Sequence, residues 1–178
     1  MFYRLSGFIE DLAQSGDNTA VVIAYQEGEK IHAKAFDFIP TNKIEEKSNA
    51  EKIDYKRFID EGSCFACGDN VIDYVFVEEF VLSIEERFKC KIVQIGYDIR
   101  DALSSAQKFE NAGYVCVEVK QHSSVLSSVV KWLEELIMQG NFVYDGDELF
   151  TREFVELNIN HLINQTPYRS CLTYKILS

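Results

Sequence analysis

The chain has 178 residues, enough for one domain with a hydrophobic core and short for two. Its 47% hydrophobic and 13% aromatic content lies well clear of the composition of disordered chains. A formal net charge of −11 argues against gripping nucleic acid through bulk electrostatics, so such a partner has to be met by a local basic patch, bound metal ions or a second protein.

No apolar run reaches the length of a membrane span, and the N-terminal MFYRLSGFIED lacks the basic-then-apolar layout of a signal peptide. A soluble, cytoplasmic protein is therefore expected. Residues 3–10 (YRLSGFIE), 19–26 (TAVVIAYQ) and 30–39 (KIHAKAFDFI) read as strands, the last two joined by a turn at Gly28. Short turns predict an antiparallel meander. Pro40 ends the third strand, and 41–54 reads as a loop or a short exposed helix. Cys64 and Cys67, in CFAC, have the spacing of half a zinc site or of a redox pair. Zinc would need two more suitably spaced ligands, and the three histidines are unpaired. A plain strand carrying two thiols is the simpler expectation. The five cysteines, an odd count, form no disulfide framework, and Cys90 and Cys116 read as buried thiols.

From Ile72 to Phe88 the apolar positions 72, 76, 77, 80, 81, 84 and 88 share one helical face, and Asp73 beside Tyr74 reads as the start of that helix. KIVQIGY (91–97) predicts a strand buried on both faces. DALSSAQKFENAG predicts a helix with Asp101 as N-cap and Gly113 as its stop. YVCVEV is a further strand, and 123–140 a longer helix capped by Ser123 or Ser124 and stopped by Gly140. NFVYDGDELF (141–150) predicts a hairpin around Asp145–Gly146. TREFVELNINHLI then opens as a helix and fades. With no linker and no internal repeat, 1–178 reads as a single α/β domain: a three-strand meander, then parallel strands, helices on both faces and an added hairpin.

In open sheets of this kind ligands gather at the carboxyl ends of the strands. Asp11 closes the first strand and Asp98 the fourth, so parallel neighbours would bring both carboxylates to one spot. Two close carboxylates repel unless one keeps its proton or a cation lies between them. Hard oxygen donors suit Mg²⁺ or Mn²⁺.

Several motifs in order carry a resemblance. They are Asp11-Leu12-Ala13 followed by Asp17-Asn18-Thr19-Ala20; FDFIP; DYKRFIDEG; GDNVIDY; IGYDIRDA with Asp98; and the long run from NAGYVCVEVKQHSS to YDGDELF. Over about Gly7 to Asn160 the chain resembles the nuclease domain of the large terminase subunit of tailed double-stranded DNA phages, of ribonuclease H-like fold. The resemblance implies a metal-dependent endonuclease that cuts concatemeric DNA during packaging, with two Mg²⁺ or Mn²⁺ ions held by Asp11 and Asp98. It implies double-stranded DNA, the terminase ATPase domain, the small terminase subunit and the portal protein as partners, and a phage or prophage gene expressed in the bacterial cytoplasm. Asp17, beside the first motif, is either a second support for the metals or a structural loop residue.

Two departures stand out. The family's third metal aspartate, near the C-terminus in a segment like K-x-D-x-x-x-A, has no counterpart: no acid follows Glu156. Asp73, Asp145 and Asp147 are the candidate substitutes. There is also no G-x-x-x-x-G-K-[ST], so an ATPase motor is not expected in this chain. Arg100, Lys120, Gln121 and His122 are possible DNA contacts, with a surface salt bridge or a bystander role as the simpler reading for Arg100 and His122. Trp132 reads as packing. The alternative function is a catalytically silent domain that keeps the fold for protein contacts.

Overall fold

The computed structural model describes residues 3–11, 18–120 and 122–156, the first strand by its backbone. Strands β1 (Tyr3–Asp11), β2 (Thr19–Glu27) and β3 (Lys30–Ile39) form the expected antiparallel meander. The 41–54 stretch holds a 3-10 turn at Thr41–Lys43 and the short helix α1 (Ile44–Glu51). Next comes α2 (Tyr55–Glu61), for which the sequence predicted no element. Its first turn is capped by the Asp54 carboxylate, which accepts the Arg57 N–H at 3.2 Å. Strand β4 (Cys64–Ala66) lies parallel to β3.

Helix α3 (Tyr74–Phe88) begins where the apolar periodicity set it, and Asp73 caps it by accepting the N–H groups of Val75 (3.0 Å) and Phe76 (3.4 Å). The approach to this cap is tight. Gly68 has φ +69°, and a Cβ there would lie 2.1 Å from the Val71 carbonyl oxygen, so only glycine fits.

The single strand expected at 91–97 is instead two, β5 (Cys90–Ile92) and β6 (Ile95–Tyr97). Both lie parallel on the same side of β1 and in the same register, Tyr3 opposite Cys90 and Ile9 opposite Gly96. They are one strand interrupted at Val93, which is exposed, so this stretch is not buried on both faces as the apolar run implied. Helix α4 (Ile99–Asn111) starts directly after Asp98, two residues ahead of the N-cap expected at Asp101, which lies inside the helix. It ends as predicted, with Gly113 at φ +95° and its N–H on the Glu110 carbonyl. Strand β7 (Cys116–Glu118) and helix α5 (Ser123–Met138) follow.

The hairpin expected at 141–150 is absent. Strand β8 (Phe142–Tyr144) pairs parallel with β3, through Ile31 and Phe142, His32 and Val143, Ala33 and Tyr144. The chain then turns at Asp145–Gly146 into helix α6 (Glu148–Glu156). Asp147 draws it that way: its carboxylate accepts the Phe150 N–H at 2.9 Å, a helix cap in place of a second strand.

The sheet order is β4-β3-β2-β1-β6-β7, with β5 also on β1 and β8 also on β3. Helices cover both faces. On one, Val77, Phe80, Val81 and Ile84 of α3 and Phe109 of α4 pack against Val21, Ile23, Phe36 and Phe38. Phe80 sits edge-on to both Phe36 (5.0 Å) and Phe38 (5.3 Å). A ring buried this fully contributes about 2–3 kcal/mol. On the other face Phe150 of α6 packs on Val22, Ala33 and Ala35, and Leu133 and Leu136 of α5 on Ile31 with Trp132 beside them. Cys64 and Cys67 belong to different core clusters, so the C-x-x-C spacing does not set the two thiols side by side in one pocket.

Candidate metal centre

Strands β1 and β6 run parallel, with Ile9 opposite Gly96 and Glu10 opposite Tyr97. One residue further along each stand Asp11 and Asp98, so the register sets them next to one another at the carboxyl ends of adjacent strands. Such neighbours lie about 4.8 Å apart along the sheet. Asp98 is 6% exposed and immediately precedes α4, where its carbonyl accepts the Ala102 N–H at 3.0 Å. The positive end of the helix dipole lies there, a place that favours negative charge. On the far side of β6 the Val119 N–H donates to the Tyr97 carbonyl at 2.8 Å, so the chain leaving β7 runs along this same edge. Lys120 and His122, both exposed, come next.

The row continues the other way. Asp11 is paired with Ala20, and Ala20 with Asp37, so Asp98, Asp11, Ala20 and Asp37 stand in line across four strands. Asp37 is 2% exposed, and its strand neighbours Ala33 and Ala35 share its side of the sheet and face the α6 cluster. Two strand spacings separate Asp37 from Asp11, about 10 Å of backbone. Reading of the sequence missed this residue. The signal that finds it is one carboxylate inside an otherwise apolar run, AFDFI, where every position is buried. The end of the row is also fastened from outside. Asn18, just before β2, donates from its side-chain amide to the Tyr55 hydroxyl (2.9 Å), which in turn donates to the Glu51 carboxylate.

The other expected site residues go elsewhere. Asp73 is the α3 cap, its Oδ1 accepting two backbone N–H groups. Asp145 pairs with the Lys34 ammonium and accepts the Asp147 N–H, while Asp147 caps α6. Asp145 is thus engaged at the β3 edge beside Lys34, and Asp147 at the start of α6. Arg100 lies in the first turn of α4. Asp17 and Gln121 lie outside the described residues.

Among the described residues no group of three or more His, Cys, Asp or Glu side chains is arranged to hold a metal ion. The donor set at the strand ends is all carboxylate, which fits a hard divalent cation and not zinc in a thiol or imidazole cage. The two described thiols of the C-x-x-C pair are buried, and burial pushes the Cys67 thiol up and away from the thiolate a soft metal requires.

The chain matches the family described as terminase large subunit, endonuclease domain, over residues 4–168. Its fold is similar to the crystal structure of the HK97 bacteriophage large terminase, with a TM-score of 0.70 and 21% identity over 81% of this chain and 30% of that one. The large terminase of a thermophilic bacteriophage, solved in complex with ATP-gamma-S, aligns over 81% of this chain and 32% of that one, with a TM-score of 0.44 and 8% identity. The chain thus spans about a third of the length of these proteins. No curated protein matches it in sequence. Among the described residues no helix is long and apolar enough to cross a membrane. The mixed sheet, flanked on both faces and ordered β3-β2-β1-β6-β7, is the ribonuclease H-like fold, and the chain belongs to the endonuclease-domain family of the terminase large subunit.

Proposed function

We propose that this domain is a metal-dependent endonuclease that cuts double-stranded phage DNA during packaging, with Asp11 and Asp98 as metal ligands. The observation that carries the reading is the shared β1–β6 register, which sets these two aspartates side by side at the strand ends. Two Mg²⁺ or Mn²⁺ ions at such a site supply an activated water and charge stabilisation for the leaving oxygen of a phosphodiester. The protein's own part is to hold oxygen donors in fixed places: Asp98 between β6 and the first turn of α4, and Asp11 at the end of β1. Asp37 is a described carboxylate in the same row and on the same face of the sheet, a candidate for a third ligand. Lys120 and His122 lead away from the same edge and are the described residues best set to meet a phosphate backbone. The surrounding chain is acidic, so local contacts and bound cations have to offset the net −11. The packaging partners are the ATPase domain, the small terminase subunit and the portal protein.

A second reading, a silent domain kept for protein contacts, is favoured by the net charge of −11, which opposes a nucleic-acid partner. Plasmid nicking separates the two. The purified chain is expected to nick supercoiled plasmid with Mn²⁺ or Mg²⁺, to stop with chelator, and to lose the activity in Asp98→Asn. Intact plasmid under every metal condition, from folded protein, supports the silent domain.

A further inference from the structure

Helix α4 carries Asp98 at its head, and among its described side chains, from Ala102 on, the inward face is mostly small. The buried positions are Ala102, Ser105, Ala106 and Phe109, three small side chains and one ring at the far end. Small side chains interlock little, so over this described stretch apolar packing alone sets the helix only loosely. A polar contact replaces the missing knobs. Glu78 is a carboxylate on the face of α3 that also presents Val77, Phe80, Val81 and Ile84 to the core, and it is only 7% exposed. Both of its oxygens are taken by α4: the Ser105 hydroxyl donates to one at 2.7 Å, and the Lys108 ammonium reaches the other. A buried carboxylate is tolerated only with such partners in good geometry, which makes the contact directional in a way that apolar packing is not.

We infer that Glu78 is a positioning residue for Asp98: through Ser105 and Lys108 it fixes the setting of α4, and with it the place of the Asp98 carboxylate at the sheet end. This rests on the proposed reading of Asp98 as a metal ligand. Ser105 lies two turns from Asp98, about 10 Å along the helix, so a roll at the contact is carried straight to the first turn. Lys108 supports the geometry, since its ammonium is held protonated chiefly by the hydrogen bond to Glu78.

The test is Mn²⁺ titration calorimetry on the whole chain at a temperature well below melting, beside urea unfolding without metal. Glu78→Gln is expected to weaken Mn²⁺ binding by about tenfold or more, within the 10- to 100-fold range for residues that orient a ligand. Ser105→Ala and Lys108→Met are expected to weaken it in the same direction, and Lys108→Arg to retain wild-type affinity. A purely structural role would lower the urea midpoint and leave Mn²⁺ affinity alone; that result, in Glu78→Gln and Ser105→Ala alike, overturns the inference. If Glu78→Gln does not fold, Ser105→Ala, which removes a single hydroxyl, decides the matter. Wild-type protein that binds no Mn²⁺ removes the reading of Asp98 and this inference with it; wild-type binding with unaltered variants removes the inference alone.

Discussion

At Asp98 a buried carboxylate stands where a strand gives way to a helix, and what surrounds it is more informative than its charge. A carboxylate kept there for the metal has a simple signature: Mn²⁺ binds the folded protein and not the unfolded chain, so it raises the melting temperature. Asp98→Asn and Asp11→Asn are each expected to abolish that rise, and a rise that survives both changes puts the metal elsewhere. Asp37 allows a sharper question. If it completes the row, Asp37→Asn weakens Mn²⁺ binding while the protein stays folded; if the melting point falls and Mn²⁺ affinity does not, Asp37 serves β3 alone. The place of Asp11 and Asp98 at strand ends was legible in the sequence because each ends a strand-like run. Asp37 was not, since nothing local tells a carboxylate inside a strand that β1 will lie two strands away.

Among the elements, legibility follows how local the deciding force is. Helix α3 was readable because its apolar stripe and its cap, Asp73, act within a few residues. Asp73→Ala removes the acceptor for two backbone N–H groups and is expected to cost about 1 kcal/mol, seen as a lower urea midpoint at unchanged slope. Unaltered stability would mean that water caps the helix equally well. The false hairpin at 141–150 shows the opposite case. Asp145–Gly146 is a genuine turn signal, with Gly146 at φ +79°, but it specifies only a reversal of the chain. Which strand β8 joins was decided far away in sequence, by the free edge of β3. The break between β5 and β6 was hidden for a related reason: it falls at Val93, an apolar residue that reads as strand. Helix α2 was missed because DYKRFIDEG is mostly polar, and what holds it is the burial of Tyr55 and Phe58 against α1 and β4.

For the whole molecule the acidic balance and the buried thiols shape how stability responds to pH. Burial pushes the Cys67 and Cys90 thiols above their ordinary range, and the Tyr114 hydroxyl likewise. A group whose folded pKa is raised contributes stability that is complete below its unfolded pKa and is lost as pH rises towards the folded one. For thiols that window opens at about pH 8.5. The urea midpoint is therefore expected to fall as pH rises above about 8.5, and to fall less in Cys67→Ala and Cys90→Ala; a flat profile in the wild type contradicts it. The interrupted strand has a consequence of another kind. β2 and β3 are joined by a short turn and can zip together as soon as both are made, whereas β1 gains its second neighbour only when residues 90–97 arrive. During synthesis Asp11 emerges ahead of its partner Asp98, which follows after a stretch roughly half as long as this chain. A growing polypeptide therefore carries only part of the carboxylate row, and the cutting power proposed for it has to wait until Asp98 has joined.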